Sequence, residues 1–120
     1  MPPFYSCFTK CNLHRGQAIM IHIIYCPCKD EEEAESIGQK LVEEKLVACI
    51  SSTNVNSCYL WESETQKNEE VLLLCKTIPE KLAFATKRLK ELHSYKIPCI
   101  AVIDATVNNE YEQWMRETLK

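Results

Sequence analysis

The sequence predicts an α+β fold on three observations: a ferredoxin-like antiparallel sheet of order βαββαβ, followed by a C-terminal helix. Apolar, strand-like runs alternate with segments of helical spacing in the order β-α-β-β-α-β-α. That order holds two split βαβ units, which place two helices on one face of an antiparallel sheet. The length of 120 residues, 46% hydrophobic and 26% charged, suits one globular domain and excludes a disordered composition.

The first strand is IHIIYC at 21–26, closed by Pro27. Asp30 with Glu33 three residues on forms a capping box, and Glu31, Glu32 and Glu33 favour the positive end of the helix that follows. Ala34, Ile37, Leu41 and Leu46 keep helical spacing, with Val42 widening the stripe, so the acidic run is the wet face of a helix. Val47 to Trp61 reads as a long strand, and its polar middle, Ser51–Asn54, predicts a bulge or bend. SETQKNEE is then the turn, and VLLLCKT at 71–77, apolar on both faces, is a central strand.

Thr77 with Glu80 is a second capping box, with Pro79 in the first turn. Leu82, Ala85, Leu89 and Leu92 form the inward stripe of that helix, which ends at His93 before the Ser94–Pro98 connection. CIAVIDA at 99–105 is the fourth strand. Asn108 is expected to cap a last helix that carries Tyr111, Trp114 or Met115, and Thr118 on one side.

Two domains are not expected. Residues 20–120 form the folded domain, and residues 1–19 are read as a disordered N-terminal extension that opens on Pro2-Pro3 and has no strand or helix period. Within it Cys7, Cys11 and His14 offer soft donors at short spacing, but only half of a four-ligand site. No secretory leader is visible in it.

Several function classes are excluded by composition. The net charge of −3 argues against a nucleic-acid partner, which needs a Lys/Arg excess. The two strands that would form an RNA-binding platform offer one aromatic residue, Tyr25. No apolar run is long enough for a membrane span. With Gly16 and Gly38 the only glycines, no Gly-rich phosphate cradle exists. No acidic orienter or oxyanion signature accompanies a nucleophile, so the chain is not read as an enzyme.

The cysteines carry the chemistry. There are eight, and Cys26, Cys49, Cys75 and Cys99 lie in hydrophobic strand-like runs where a thiol packs as a small hydrophobe. Free thiols of this kind point to a reducing, cytoplasmic location. Cys26 and Cys28 flank Pro27, so both thiols can turn toward a soft cation such as Cu(I); the competing reading packs Cys26 and exposes Cys28 in a loop. Cys49 is read as core or interface, with a ligand role as the alternative, and His22 as a structural histidine. Lys76 at the end of a central strand, His93 and Tyr95 at a helix-end turn, and Trp61 from the hairpin could line a pocket for a small anion. The alternative is that they pin the turn and subunit contacts.

Two helices cannot cover both faces of the sheet, so another copy of the chain is the expected cover. Tyr59 and Trp61 at the hairpin tip would bury large area at low entropy cost on such a neighbour.

Several ordered segments together resemble the CutA family of divalent-cation tolerance proteins: IIYCPCKDEEEA, LVEEKLVACIS, Ser57-Cys58-Tyr59-Leu60-Trp61, EEVLLLCKT, KELHSYKIPCI and NNEYEQWM, spanning about residues 20–119. The resemblance implies a homotrimer in which long hairpins reach across subunits, and tolerance of copper and other divalent cations through cysteine thiolates. It places Cys26 and Cys49 where copper-associated cysteines occur in bacterial relatives. The third such position is Arg88 here, and Cys28 stands as its substitute. The sequence also departs from the family at Thr53-Asn54 and Ser63, where glycine-containing turns are usual, and at Cys99, where an acidic residue is common. The function expected is copper tolerance by a trimer, with a small-anion sensor or a protein-anchoring scaffold as the alternatives.

Overall fold

Alternating side chains organise the molecule around the first strand, β1 (Met20–Cys28). A computed structural model of the chain describes residues 20–120, and the extension read at 1–19, with Cys7, Cys11 and His14, lies outside the described residues. After β1 come α1 (Glu31–Glu43), β2 (Cys49–Trp61), β3 (Glu64–Thr77), α2 (Pro79–Leu92), β4 (Ala101–Thr106) and α3 (Asn109–Thr118). The strands form one antiparallel sheet in the order β2-β3-β1-β4, so the expected α+β, ferredoxin-like arrangement is present.

On one face Ile24, Cys26 and Cys28 of β1 and Val71, Leu73 and Cys75 of β3 pack against Ala34, Ile37 and Leu41 of α1 and Ala85 and Leu89 of α2. Helix α1 crosses β2 so closely that a Cβ on Gly38 would collide with Cδ1 of Ile50. The second face is covered only at one end, where Met115 and Leu119 of the α3 segment pack on Ile21, Ala48 and Ile78. Tyr25 and Ile103, beyond that cover, stay 36% and 46% exposed.

The hairpin departs from expectation. Pairing runs unbroken from Cys49↔Lys76 to Trp61↔Glu64, so Ser51–Asn54 form no bulge and residues 64–70 are strand, not turn. The turn shrinks to Glu62 and Ser63, both at positive φ (53° and 68°), the backbone that matches the twist of a two-residue hairpin. The polarity that suggested a turn belongs to a ribbon that projects beyond the helices and is wet on both faces.

Helix ends also differ. Asp30 caps α1 as read, accepting from the Glu33 N–H at 2.8 Å. Thr77 does not cap α2: its hydroxyl donates to the Leu46 carbonyl at 2.6 Å, tying β3 to the loop after α1, and Ile78 takes the cap position. Asn108 holds the cap position of α3 without a side-chain capping bond.

Candidate functional site

A strand places residues two apart on the same face, so Cys26 and Cys28 both point toward the helix layer at the end of β1. Helix α2 runs back over this end and stops at His93. The Sγ atoms of Cys26 and Cys28 and a ring nitrogen of His93 all lie within 4.8 Å of one another, and all three residues are buried. A hydrogen bond with the Cys28 thiol, and then burial, push the Cys26 thiol well above its ordinary value. Burial pushes Cys75, one residue pair further along the core, up to about 12. Cys26 and Cys75 therefore hold their protons near neutrality.

The imidazole is held from both sides. The Tyr95 backbone N–H donates to Nδ1 at 3.1 Å, which makes Nε2 the proton-bearing nitrogen, and Nε2 donates to the Pro27 carbonyl at 2.9 Å. For His93 to ligate a cation, one of these two bonds must open. The segment after α2 is fixed further by Glu33, whose carboxylate accepts from the N–H groups of both Lys29 and Ser94 at 2.9 Å.

Cys49 does not join this cluster. Cys26 stands opposite Leu73 and Cys49 opposite Lys76, three positions apart on β3, so the two thiols face opposite sides of the sheet. Cys49 instead neighbours Tyr111 of α3, whose phenol is raised by burial and then by a hydrogen bond with Cys49. Lys76 is beside them, its Nζ 5.3 Å from the centre of the Tyr111 ring. Arg88 is committed to an ion pair that joins the two helices, its Nε and Nη2 2.9 and 3.0 Å from the Glu44 carboxylate oxygens. His22 meets Asp104 across the sheet at 2.9 Å.

The four residues read as an anion pocket are thus divided. Trp61 and Tyr95 share a cavity of about 430 Å³ on the second face of the sheet, with Tyr59, Glu70, Pro27 and Lys96 also in its wall. His93 stands behind Tyr95, their ring centres 4.7 Å apart, facing the thiols, and Lys76 is at the α3 end. Glu70 is the residue that sequence reasoning missed. It is 7% exposed and accepts a 2.7 Å hydrogen bond from the Tyr95 hydroxyl. Burial, and then this carboxylate, raise the Tyr95 phenol, so it keeps its proton and donates. The only signal in the sequence was a pair of glutamates immediately before an apolar strand.

Comparison with known proteins agrees with this architecture. The family model described as CutA1 divalent ion tolerance protein matches residues 22–118. The divalent-cation tolerance protein CutA of Thermus thermophilus is 36% identical over 100 residues, covering 82% of this chain and 97% of that protein. Its counterpart from Thermotoga maritima is 34% identical over 98 residues, 81% and 97% of the two chains. Among solved structures, CutA from Synechococcus elongatus superposes with a TM-score of 0.83 at 28% identity, covering 87% of this chain and 94% of that one. The periplasmic divalent cation tolerance protein CutA from Archaeoglobus fulgidus gives 0.81 at 34% identity, covering 83% and 99%. With sequence, sheet order and helix placement in accord over nearly the whole described chain, the protein belongs to the CutA1 divalent ion tolerance family.

Proposed function

We propose that the chain binds copper at Cys26 and Cys28 with His93 as the third donor, and that it works as a homotrimeric tolerance protein in a reducing, cytoplasmic setting. The observation that carries this reading is the convergence of two thiols and one imidazole within 4.8 Å at a buried strand end. Sulfur donors select soft cations, and imidazole suits copper as well. The residues present fit such an ion, which when bound would supply the positive charge that these thiols lack as neighbours. Cys49 is left out of the ligand set because it faces the other side of the sheet. Binding is the role assigned, and His93 takes part in it when the bond from Nε2 to the Pro27 carbonyl or the one from the Tyr95 N–H to Nδ1 opens.

Assembly rests on uncovered surface. Leu60 and Trp61 at the hairpin tip are 72% and 45% exposed, and Tyr25 and Ile103 line the half of the sheet that α3 leaves bare. Large apolar side chains in such a pattern mark an interaction surface, and a homotrimer is what the family resemblance implies.

Anaerobic titration with Cu(I) tests the site. The wild type and Cys49→Ser are expected to take up copper alike, while Cys26→Ser and Cys28→Ser lose most of the affinity. Wild-type affinity in both of the last two variants overturns the assignment.

A further inference from the structure

The cavity between the hairpin and the segment after α2 has an unusual floor. Glu70 is a carboxylate with 7% of its surface exposed, and among the described residues it enters no ion pair. Its one hydrogen-bond partner is the neutral hydroxyl of Tyr95, on Oε2. No buried side-chain oxygen among the described residues lacks a partner, so the other carboxylate oxygen, Oε1, is open to the cavity and free to meet a ligand there. Around it stand the rings of Tyr59, Trp61 and Tyr95, and a volume of about 430 Å³ is within the range of small-ligand sites. Aromatic faces carry negative potential and attract cations, with Trp the strongest. The phenol of Tyr59 is itself set in place by Asn68, which donates to it at 2.6 Å. Lys96 is the one positive side chain in the wall, and it does not reach Glu70. An anion would meet the Glu70 charge at the floor, whereas a cation would neutralise it.

We propose that this cavity binds a small organic cation, a primary alkyl- or arylalkylammonium, with the ammonium on the Glu70 carboxylate and its hydrocarbon part against Tyr59, Trp61 and Tyr95. The ammonium N–H groups supply the donors that Oε1 lacks, and the apolar part displaces water from the rings. This site is separate from the thiol pair and needs no metal.

Three probes with one ring and three charges test it: benzylamine, which is an ammonium at neutral pH, uncharged benzyl alcohol, and benzoate. The full chain carrying Trp114→Phe leaves Trp61 as the sole indole, and its fluorescence reports on the cavity. Benzylamine is expected to give a saturable change, benzyl alcohol to bind roughly tenfold more weakly, the worth of one charge-assisted hydrogen bond, and benzoate to give none. Glu70→Gln keeps the shape and the acceptor for Tyr95, and should reduce benzylamine to the level of the alcohol. Trp61→Ala should weaken benzylamine several-fold by calorimetry, with sedimentation of the same variant separating a lost ring contact from a lost subunit contact, since Trp61 also lies on the proposed assembly surface. The metal-free protein and Cys26→Ser should bind benzylamine as the wild type does, so this result is independent of copper binding. No saturable response to benzylamine, benzoate binding as well as benzylamine, or unchanged affinity in Glu70→Gln each overturns the proposal. The same holds if Glu70→Gln lowers the stability of the oligomer while no amine binds, for then a neighbouring chain supplies the counter-charge.

Discussion

Nε2 of His93 donates to the carbonyl of Pro27 at 2.9 Å, joining positions 66 residues apart. Pro27 also lines the aromatic cavity, and its neighbours on either side are the two thiols of the proposed copper site. One hydrogen bond therefore stands between two chemically different sites. Replacing His93 with Ala strands the Pro27 carbonyl and the Tyr95 N–H, at a cost of about 1–3 kcal/mol per buried group left unpaired. Chemical denaturation should show that loss, and copper affinity should fall without vanishing, because two thiols remain.

Copper affinity should rise with pH. The Cys26 thiol is pushed above its ordinary value by Cys28 and by burial, so a proton leaves it when a cation enters. Each displaced proton makes the apparent affinity increase by up to about tenfold per pH unit while pH stays below the thiol's value. Competition with a chelator of known affinity at several pH values measures the slope, and a flat profile would show that thiols are not the donors.

Glu33 gives the fold an acid-sensitive link. Burial works against its charge, but the N–H groups of Lys29 and Ser94 outweigh burial and hold the carboxyl below its usual range. A carboxylate with a lowered folded-state value stabilises the protein above its unfolded value, and that contribution is lost as pH falls through the folded one. Wild type should exceed Glu33→Gln in urea midpoint near neutrality, and the gap should close below about pH 4.

Gly38→Ala should cost the domain no more than about 1 kcal/mol, because the atom in the way is the end of the flexible Ile50 side chain and the better helix propensity of alanine offsets part of moving it. The added Cβ collides with Cδ1 of Ile50. Ile50→Val removes that atom, so the double variant should recover part of the loss, and thermal denaturation of the four proteins gives the coupling.

The bare half of the sheet supplies a test of assembly. Tyr25→Glu with Ile103→Glu puts two charges where the proposed neighbour would sit. Sedimentation should then show monomers that retain their circular dichroism, while an unchanged oligomer would place the interface elsewhere.

Strand and helix order was legible because each element carries its own period, and α1 even announces its cap at Asp30. The hairpin was not, since a ribbon wet on both sides has no alternation, and residues 64–70 look like a turn for that reason. Spacing allowed Cys26 and Cys28 to converge but also allowed Cys28 to sit exposed in a loop, and the choice is made by β1 continuing through Pro27 to a buried Cys28. Their separation from Cys49 required knowing that it faces Lys76 and not Leu73, a matter of register that no single segment encodes. His93 joins the thiols, and Lys76 parts from Tyr95 and Trp61, for the same reason: placement depends on which strands are neighbours. Glu70 was hidden because its role arises only when Tyr95 folds back from the far end of the chain.

Strand β3 is a single unbroken run from the hairpin tip at Glu64, past Glu70, to Leu73 opposite Cys26 and Lys76 opposite Cys49. At about 3.4 Å per residue the stretch from Glu64 to Lys76 spans some 40 Å, passing the cavity, the thiol pair and Cys49 in turn. Whatever the outer end of that ribbon docks against is thus joined by one continuous backbone both to the cavity at Glu70 and to the thiol pair opposite Leu73.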